Sequence, residues 1–540
     1  MEIRKLLVAN RGEIAARVFA TCRRLEIATV AVAAPDDAGS FHTRRADDVR
    51  EIASYLDAGE IVRAARESRA DAVHPGYGFL AESAALPEAV GAAGLAWVGP
   101  PPDVLRAAGD KLESKQIAAD AGVPVLEAGA PADVGFPLIV KAAGGGGGRG
   151  MRVVRTPADL DDAVAAAQRE AKVGFGDDSV FFERYVDRPR HVEIQLLGDA
   201  GGTVVHLGER ECSIQRRHQK VLEESPSPVL DAALRGEIAD AAVALGERLG
   251  YVGAGTAEFM LDGERFFFLE LNARIQVEHP VTELVTGVDI VEQQLRIAAG
   301  ERLALEPVDL SGHAVEVRLY AEDPRSFLPQ AGRIDELVLP GSVRVDAGVE
   351  AGDDVPVAYD PLIAKLVAHA DTRDEALGRL TQALDETHVR GVTTNVAFLR
   401  WLVRHPEVRA GRTTTAFLDE NPPLARAPRV PRPWTGYWRL NREPATPTPP
   451  RRPPPLVEAA VHGDSSGAAA GNLAAPMPGT VIRVLARPGD RVEAREPLVV
   501  LEAMKMETPL SSPYEATVRN VNVAEGDRVA GGAVLVEFEE

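Results

Sequence analysis

Lys141 to Met151 reads KAAGGGGGRGM. Five consecutive glycines leave backbone amides free to wrap phosphate oxygens, at an ordering cost that a bound ligand would offset. Lys141 ends the apolar run FPLIVK, where its ammonium can meet phosphate as a point charge. The Lys-Ser/Thr pair that closes a P-loop is missing, so this is a different kind of phosphate loop. Further on, GTAEFMLDGERFFFLELNARIQVEHPVTE runs from Gly255 to Glu283 and offers Glu258, Glu270 and Asn272, oxygen ligands of the kind Mg²⁺ takes beside nucleotide phosphates. An acid directly after FFFL would be costly without a ligand. The stretch QRRHQK gathers Arg216, Arg217, His218 and Lys220 in a chain of net charge -21, which suggests anion binding. Near the C-terminus, EAMKME brackets Lys505 between Met504 and Met506, poor choices for an exposed turn unless something apolar is recognised there.

Strand-like runs flank LDGER, so a hairpin must position the two glutamates. They share a face only if an odd number of residues joins the arms, which predicts a bulged three- or five-residue connection and excludes a two-residue Asp262-Gly263 turn. Around Lys505, TVIRVLARPGDRV (Thr480 to Val492) matches TVRNVNVAEGDRV (Thr517 to Val529) at an offset of 37 residues. Two similar strand-turn-strand halves imply a small quasi-symmetric β-sandwich with Lys505 at their junction. That placement, projecting from the body, suits a carrier lysine.

The first hundred residues alternate apolar runs (KLLVAN, IATVAVA, ADAVHPG, AWVGP) with helical patterns such as GEIAARVFATCRRL, the signature of parallel strands with crossover helices. The expected fold is a Rossmann-like open sheet. Its first loop, NRGEIAAR, holds one glycine where a dinucleotide fingerprint needs three, which argues against NAD. From Asn421 to Gly471 proline and arginine dominate, a linker that as a flexible coil would span about 40 Å. Within it, GYWRL (Gly436 to Leu440) offers aromatics for docking. The acidic balance disfavours nucleic acid and anionic membrane as partners. Cys22 and Cys212 are too few and too far apart for a disulfide framework, and neither a cleavable leader nor a membrane span is evident, so a cytoplasmic location is expected.

AMKM resembles the attachment motif of biotinyl carrier domains, and KAAGGGGGRGM, ERECSIQRRHQKVLEESPSP, TAEFMLDGERFFFLELNARIQVEHPVTE and YDPLIAKL together resemble the biotin carboxylase subunit of biotin-dependent carboxylases over Met1 to Pro422. The resemblance implies α/β and α+β architecture: a Rossmann-like domain (1–110), an ATP-grasp domain with a glycine-rich lid (111–310), a biotin carboxylase C-terminal domain (311–421), the linker (422–472) and an all-β biotinyl domain, a flattened sandwich (473–540). It points to the α chain of an acetyl- or propionyl-CoA carboxylase. The alternatives are the subunit of a pyruvate, methylcrotonyl- or geranyl-CoA enzyme, another ATP-grasp ligase, or a non-catalytic carrier. Relatives acting on propionyl- or methylcrotonyl-CoA often insert a subunit-tethering domain before the carrier, for which this linker looks too short and too proline-rich.

By the same resemblance, Lys111 and Lys141 would hold ATP phosphates under the amides of Gly145, Gly146, Gly147 and Gly148. Adenine would lie against Glu183, Arg184, Tyr185, Val186 and Met260, with His191, Gln215 and His218 completing the nucleotide site. Glu258, Glu270 and Asn272 would bind Mg²⁺ or Mn²⁺. Lys220, Arg274, Gln276 and Val277 would grip bicarbonate, Glu278 would be the general base, and Arg318 would stabilise the biotin enolate. Biotin would be covalent on Lys505, attached by a biotin protein ligase. The implied partners are a separate carboxyltransferase β subunit and a second copy of the chain.

Overall fold

The computed structural model describes residues 2–142, 151–175, 178–216, 219–305, 309–356, 358–422, 472–475, 479–493, 496–503, 506–529 and 533–539. The glycines Gly145 to Gly148, His218, Lys505 and nearly all of the linker, GYWRL included, lie outside them. The chain divides into two compact units: Met1–Tyr320 with Arg333–Asp353 and Leu362–Pro423, and Ala321–Gly332 with Asp354–Pro361 and Leu424–Glu540.

The first unit opens with five parallel strands, β1 (Lys5–Val8), β2 (Ala28–Ala33), β3 (Asp48–Glu51), β4 (Ala72–His74) and β5 (Ala96–Trp97), in the order β3-β2-β1-β4-β5. Leu6, Leu7 and Val8 are fully buried, as expected of a parallel strand covered on both faces. The expected Rossmann-like sheet is therefore present. Helix α1 (Gly12–Arg24) follows β1. Asn10, in the turn between them, donates to the carbonyls of Pro75 and Tyr77, each at 2.7 Å, and so ties the loop after β4 to the loop after β1. Gly76 permits this approach: its φ is +64°, and a Cβ there would stand 2.7 Å from Asn10 Nδ2.

A second, antiparallel sheet contains β6 (Ala128–Gly129), β7 (Leu138–Ala142), β8 (Arg152–Val154) and β9 (Val180–Arg184), in the order β6-β9-β7-β8. The third and largest sheet has eight strands. Six are β10 (Arg190–Gly198), β11 (Val204–Arg216), β12 (Gln219–Ser225), β13 (Gly253–Asp262), β14 (Arg265–Asn272) and β15 (His313–Tyr320), ordered β14-β13-β10-β11-β12-β15, and strands Leu362–Ala370 and Arg344–Ala347 complete it beyond β15. Alternation decides what each face does. Val192, Ile194 and Leu196 of β10 join Ala257 and Phe259 of β13 in a core that includes Ile238, Ala242 and Leu245 of helix Ala232–Leu249. His191, Glu193 and Gln195 therefore share the opposite face, paired in register with Met260, Glu258 and Thr256.

The β13–β14 connection departs from the expectation. It is a tight two-residue turn, Gly263-Glu264, with Gly263 at φ +65°, where hairpin-favoured turns need a positive φ. Yet Glu258 and Glu270 stand directly opposite one another. The odd residue that parity requires sits in the strand: the register shifts between Phe259 paired with Phe268 and Glu258 paired with Glu270, leaving Leu269 as a β-bulge. The expected odd-numbered connection is therefore wrong, and so is the exclusion of a two-residue turn: the bulge inside β14 restores the parity, and the two glutamates share a face across a tight hairpin.

The second unit contains the carrier-like module, two four-stranded sheets. One orders Asn472–Ala474, Val534–Phe538, Ala516–Val521 and Arg491–Val492; the other orders Met506–Ser511, Pro497–Ala503, Gly479–Val484 and Arg528–Val529. A shift of 37 residues carries one sheet onto the other, strand for strand. Val481 and Val518, Leu498 and Leu535, and Val499 and Val536 occupy equivalent buried positions. The hydrogen bonds repeat as well: the amide of Gly489 reaches the carbonyl of Val518 at 2.8 Å, and that of Gly526 reaches Val481 at 2.7 Å. The described strands stop at Ala503 and resume at Met506, and these two residues pair with each other.

Candidate active site

The largest sheet assembles the site through a row of charged residues in register: Arg210 on β11 faces Glu193 on β10, which faces Glu258 on β13, which faces Glu270 on β14. Like charges directly opposite one another repel, so such a row must be compensated. Lys220, from β12, supplies much of that compensation, donating to Glu193, to Glu258 Oε1 at 2.8 Å and to Glu278 Oε1 at 2.6 Å. Burial opposes its charge, but the three carboxylates keep its pKa well above the ordinary lysine value. Arg210, fully buried, donates to Glu193 and reaches Gln195 Oε1 at 2.8 Å, Thr282 Oγ1 at 2.9 Å and Thr256 Oγ1 at 3.0 Å. His191 Nε2 lies 3.1 Å from Glu258 Oε2, and its Nδ1 lies 2.8 Å from Gln215 Nε2. Burial would lower the imidazole pKa, but the charge of Glu258 and the nearby Glu193 carboxylate push it up to about 9.

Glu258 is held below the ordinary carboxylate range despite burial, by Lys220 and His191. Glu270 goes the other way, raised by its partly buried position and by the charge of Glu258. Two facing carboxylates with opposed shifts, beside the amide of Asn272 (2.9 Å from Glu258 Oε1), form an oxygen-rich donor set whose mutual repulsion a divalent cation would relieve. The set therefore suits Mg²⁺ or Mn²⁺. Ligand atoms of His191, Glu193 and Glu258 also lie within 4.8 Å of one another.

The loop after β14 carries the remaining polar groups. Arg274 reaches Gln276 Oε1 and Asn272 Oδ1, each at 3.1 Å, and pairs with Glu82 at 3.2 Å. Glu278, fully buried, precedes helix His279–Thr286. Burial would raise its pKa, but Lys220 and Arg318 hold it lowered. Arg318 of β15 donates to Glu278 Oε2 at 3.1 Å and to Glu223 Oε1 at 2.6 Å. Lys220, Arg274, Gln276, Glu278 and Arg318 thus converge with the candidate metal ligands, and Val277 lies between Gln276 and Glu278 in the chain.

The lysines form a second cluster. Lys141 donates to Glu183 Oε2 at 2.6 Å, Lys115 pairs with the other oxygen of Glu183, and Lys111 lies 3.8 Å from Glu270. Burial and the charge of Lys111 lower Lys141 to about 8, and burial and Lys141 lower Lys115 to about 6, so an added polyanion would favour both charged forms. The side chain of Arg184 is exposed, and its amide donates to the Glu127 carbonyl at 2.9 Å. Tyr185 and Val186 follow it, and the Tyr185 ring lies 5.6 Å from the Arg155 guanidinium. Met260 pairs with His191 across the ladder.

Sequence reasoning missed Lys115, Glu193, Arg210 and Glu223. Lys115 had a readable signal, four residues after Lys111 on one helix, Lys111–Asp120, and so on the same face. The others sit in strand patterns whose polar positions read as solvent-facing.

Consecutive parts of the chain match four family models: "Biotin carboxylase, N-terminal domain" over residues 2–105, "Carbamoyl-phosphate synthase L chain, ATP binding domain" over 110–306, "Biotin carboxylase C-terminal domain" over 316–420, and "Biotin-requiring enzyme" over 471–538. The Biotin carboxylase of Halalkalibacterium halodurans is 44% identical over 441 residues, 77% of this chain and 98% of that protein. The chain belongs to the biotin carboxylase family. Among longer relatives, the mitochondrial methylcrotonoyl-CoA carboxylase subunit alpha of Oryza sativa is 47% identical over 77% of this chain, which spans only 60% of that relative's length. The propionyl-CoA carboxylase alpha chain of Ruegeria pomeroyi is 44% identical, with 78% of this chain and 68% of that one covered. Among solved structures, the biotin carboxylase domain dimer of Hydrogenobacter thermophilus 2-oxoglutarate carboxylase, in complex with MgADP, ADP and bicarbonate, superposes with a TM-score of 0.76 at 40% identity, covering 78% of this chain and 98% of that one. The biotin carboxylase region and the biotinyl region thus occupy one polypeptide, joined by the residues between 420 and 471.

Proposed function

We propose that the chain uses ATP and bicarbonate to carboxylate biotin carried on Lys505, as the α subunit of an acyl-CoA carboxylase. One observation carries this reading: Lys220 and Arg318 both donate to Glu278, while Lys220 also donates to Glu258 in the candidate metal set. A base and two cations are thereby fixed beside the place where phosphate charge would be neutralised.

Lys111 and Lys141 bind the ATP phosphates, with Gly145 to Gly148 covering them; Glu183 to Val186 and Met260 border the adenine, and His191, Gln215 and His218 complete the site. Glu258, Glu270 and Asn272 hold Mg²⁺ or Mn²⁺, which when bound offsets charge on the transferring phosphoryl group. Arg274, Gln276, Lys220 and the Val277 amide orient bicarbonate, a planar anion suited to a guanidinium fork. Glu278, kept ionised by Lys220 and Arg318, accepts the bicarbonate proton at a carboxylate oxygen. Arg318 then faces the negative charge that develops as the carboxyl group is accepted. Biotin on Lys505, once a biotin protein ligase has attached it, supplies the nitrogen that carries the carboxyl group.

A carboxyltransferase β subunit takes the carboxyl group onward, the carboxylase part pairs with a second copy, and the chain works in the cytoplasm. The acyl group is acetyl or propionyl in the first reading, of which the Ruegeria relative supports propionyl. A methylcrotonoyl enzyme is the second reading, supported by the 47% identity of the rice relative. The test is to incubate biotinylated protein with labelled bicarbonate and ATP. Label should appear on the chain only when ATP, a divalent cation and biotin are all present, and a chain that stays unlabelled would refute the activity. Purification with its native partner, followed by assays on acetyl-, propionyl- and methylcrotonoyl-CoA, decides the acyl group.

A further inference from the structure

Lys365 is fully buried, on strand Leu362–Ala370, and the proposed chemistry gives it no task. It stands in register between two charged residues, Arg318 on β15 and Asp346 on strand Arg344–Ala347. A lysine beside an arginine inside a sheet is costly in both charge and desolvation. Three contacts hold it. Its Nζ donates to the Val277 carbonyl at 2.9 Å, lies 3.2 Å from Glu13 Oε2 and lies 3.6 Å from Asp346 Oδ2. Glu13, in the first turn of α1, in turn accepts from the Tyr77 hydroxyl. Gly348, just past the Asp346 strand, makes room for Glu13: a Cβ at Gly348 would lie 2.7 Å from the Glu13 amide.

The Val277 carbonyl belongs to the peptide that joins Val277 to Glu278. Arg318 holds the Glu278 carboxylate from one side, at 3.1 Å, while its neighbour in the register row holds the backbone just before it. Rotation of that peptide would swing Glu278, whose amide it carries. A cation chosen only to fill space would be replaceable by a methionine; one that must fix a carbonyl dipole would not.

We propose that Lys365 is a positioning residue for the carboxylation site, fixing the Val277–Glu278 peptide while Glu13 and Asp346 keep its ammonium charged and aimed. This rests on the function proposed above. The full-length biotinylated chain with Lys365→Met should lose at least tenfold in kcat of bicarbonate-dependent ATP cleavage, with its ATP dissociation constant, measured by calorimetry, within twofold of the parent. Asp346→Asn, which leaves the lysine in place, should lose less, in the same direction and again in kcat. If Lys365→Met does not fold, Asp346→Asn carries the test alone. Parent-like kcat in either folded variant, or equal losses in ATP affinity and kcat, would overturn the positioning role. A parent chain without bicarbonate-dependent cleavage would overturn both the role and the function beneath it.

Discussion

The carboxylase-like unit and the carrier module solve opposite problems. In the first, charged side chains fill the interior: Arg210, Glu193, Glu278, Glu316 and Lys365 have no exposed surface. In the second, the described interior is apolar, with Val481, Leu498, Val499, Leu501, Val518, Leu535 and Val536 at its centre, and the ion pair Arg491–Glu515 stands at the surface. Burying charges costs several kcal/mol per ion unless each is paired, on the order of what one small domain gains overall. The carboxylase part accepts that cost because its task is to hold anions in fixed electrostatic surroundings. A carrier needs only a stable body and one presented lysine.

The comparison is broken most completely at that lysine. Lys505→Ala should remove all streptavidin signal and all biotin carboxylation while leaving far-ultraviolet circular dichroism and ATP binding unchanged. Retained signal would place biotin elsewhere. At the charged centre, Glu278→Ala should keep ATP affinity while bicarbonate-dependent ATP cleavage falls by about 10²- to 10⁴-fold, the range expected for loss of a general base. Unchanged turnover would remove the base assignment.

Stability separates the two plans next. Arg210→Leu leaves Glu193 buried with one cation fewer and strips hydrogen bonds from Gln195, Thr256 and Thr282, so the carboxylase part should lose about 3–5 kcal/mol, the range for breaking a buried pair. Chemical denaturation checks this, and a loss below about 1 kcal/mol, typical of an exposed pair, would show that the buried charges are not structural.

These two plans were not equally legible in the sequence. The carrier could be read almost strand by strand, because the Thr480–Val492 and Thr517–Val529 repeat and simple alternation leave few choices. The N-terminal parallel sheet was also plain, since runs such as KLLV are buried on both faces. In the large sheet, RHVEIQLLG alternates in a way that reads as half-exposed, yet Glu193 and Gln195 face a second buried layer contributed by residues far along the chain. Lys365 in LIAKLVAHA is the same case: tertiary packing, which no local pattern reveals, turned a polar position inward. The Leu269 bulge escaped for a different reason, because an extra residue inside a strand carries the same composition as its neighbours.

The smallest effect tests whether buried charge governs acid stability as well as chemistry. Burial would raise Asp346, but Lys365 and Arg344 depress it from 3.8 to about 2. A carboxylate lowered in the folded state contributes stability that is complete above its unfolded value of 3.8 and is lost as pH falls through about 2. The shift corresponds to about 2 kcal/mol at neutral pH. Asp346→Asn should therefore lower stability by roughly that amount at pH 6 and flatten the fall in stability between pH 4 and pH 2, with little difference between the two proteins at the acid end. Urea unfolding at a series of pH values measures both. Parallel curves for the two proteins would mean that Asp346 titrates alike in the folded and unfolded chains, and that neither Lys365 nor Arg344 favours its charge.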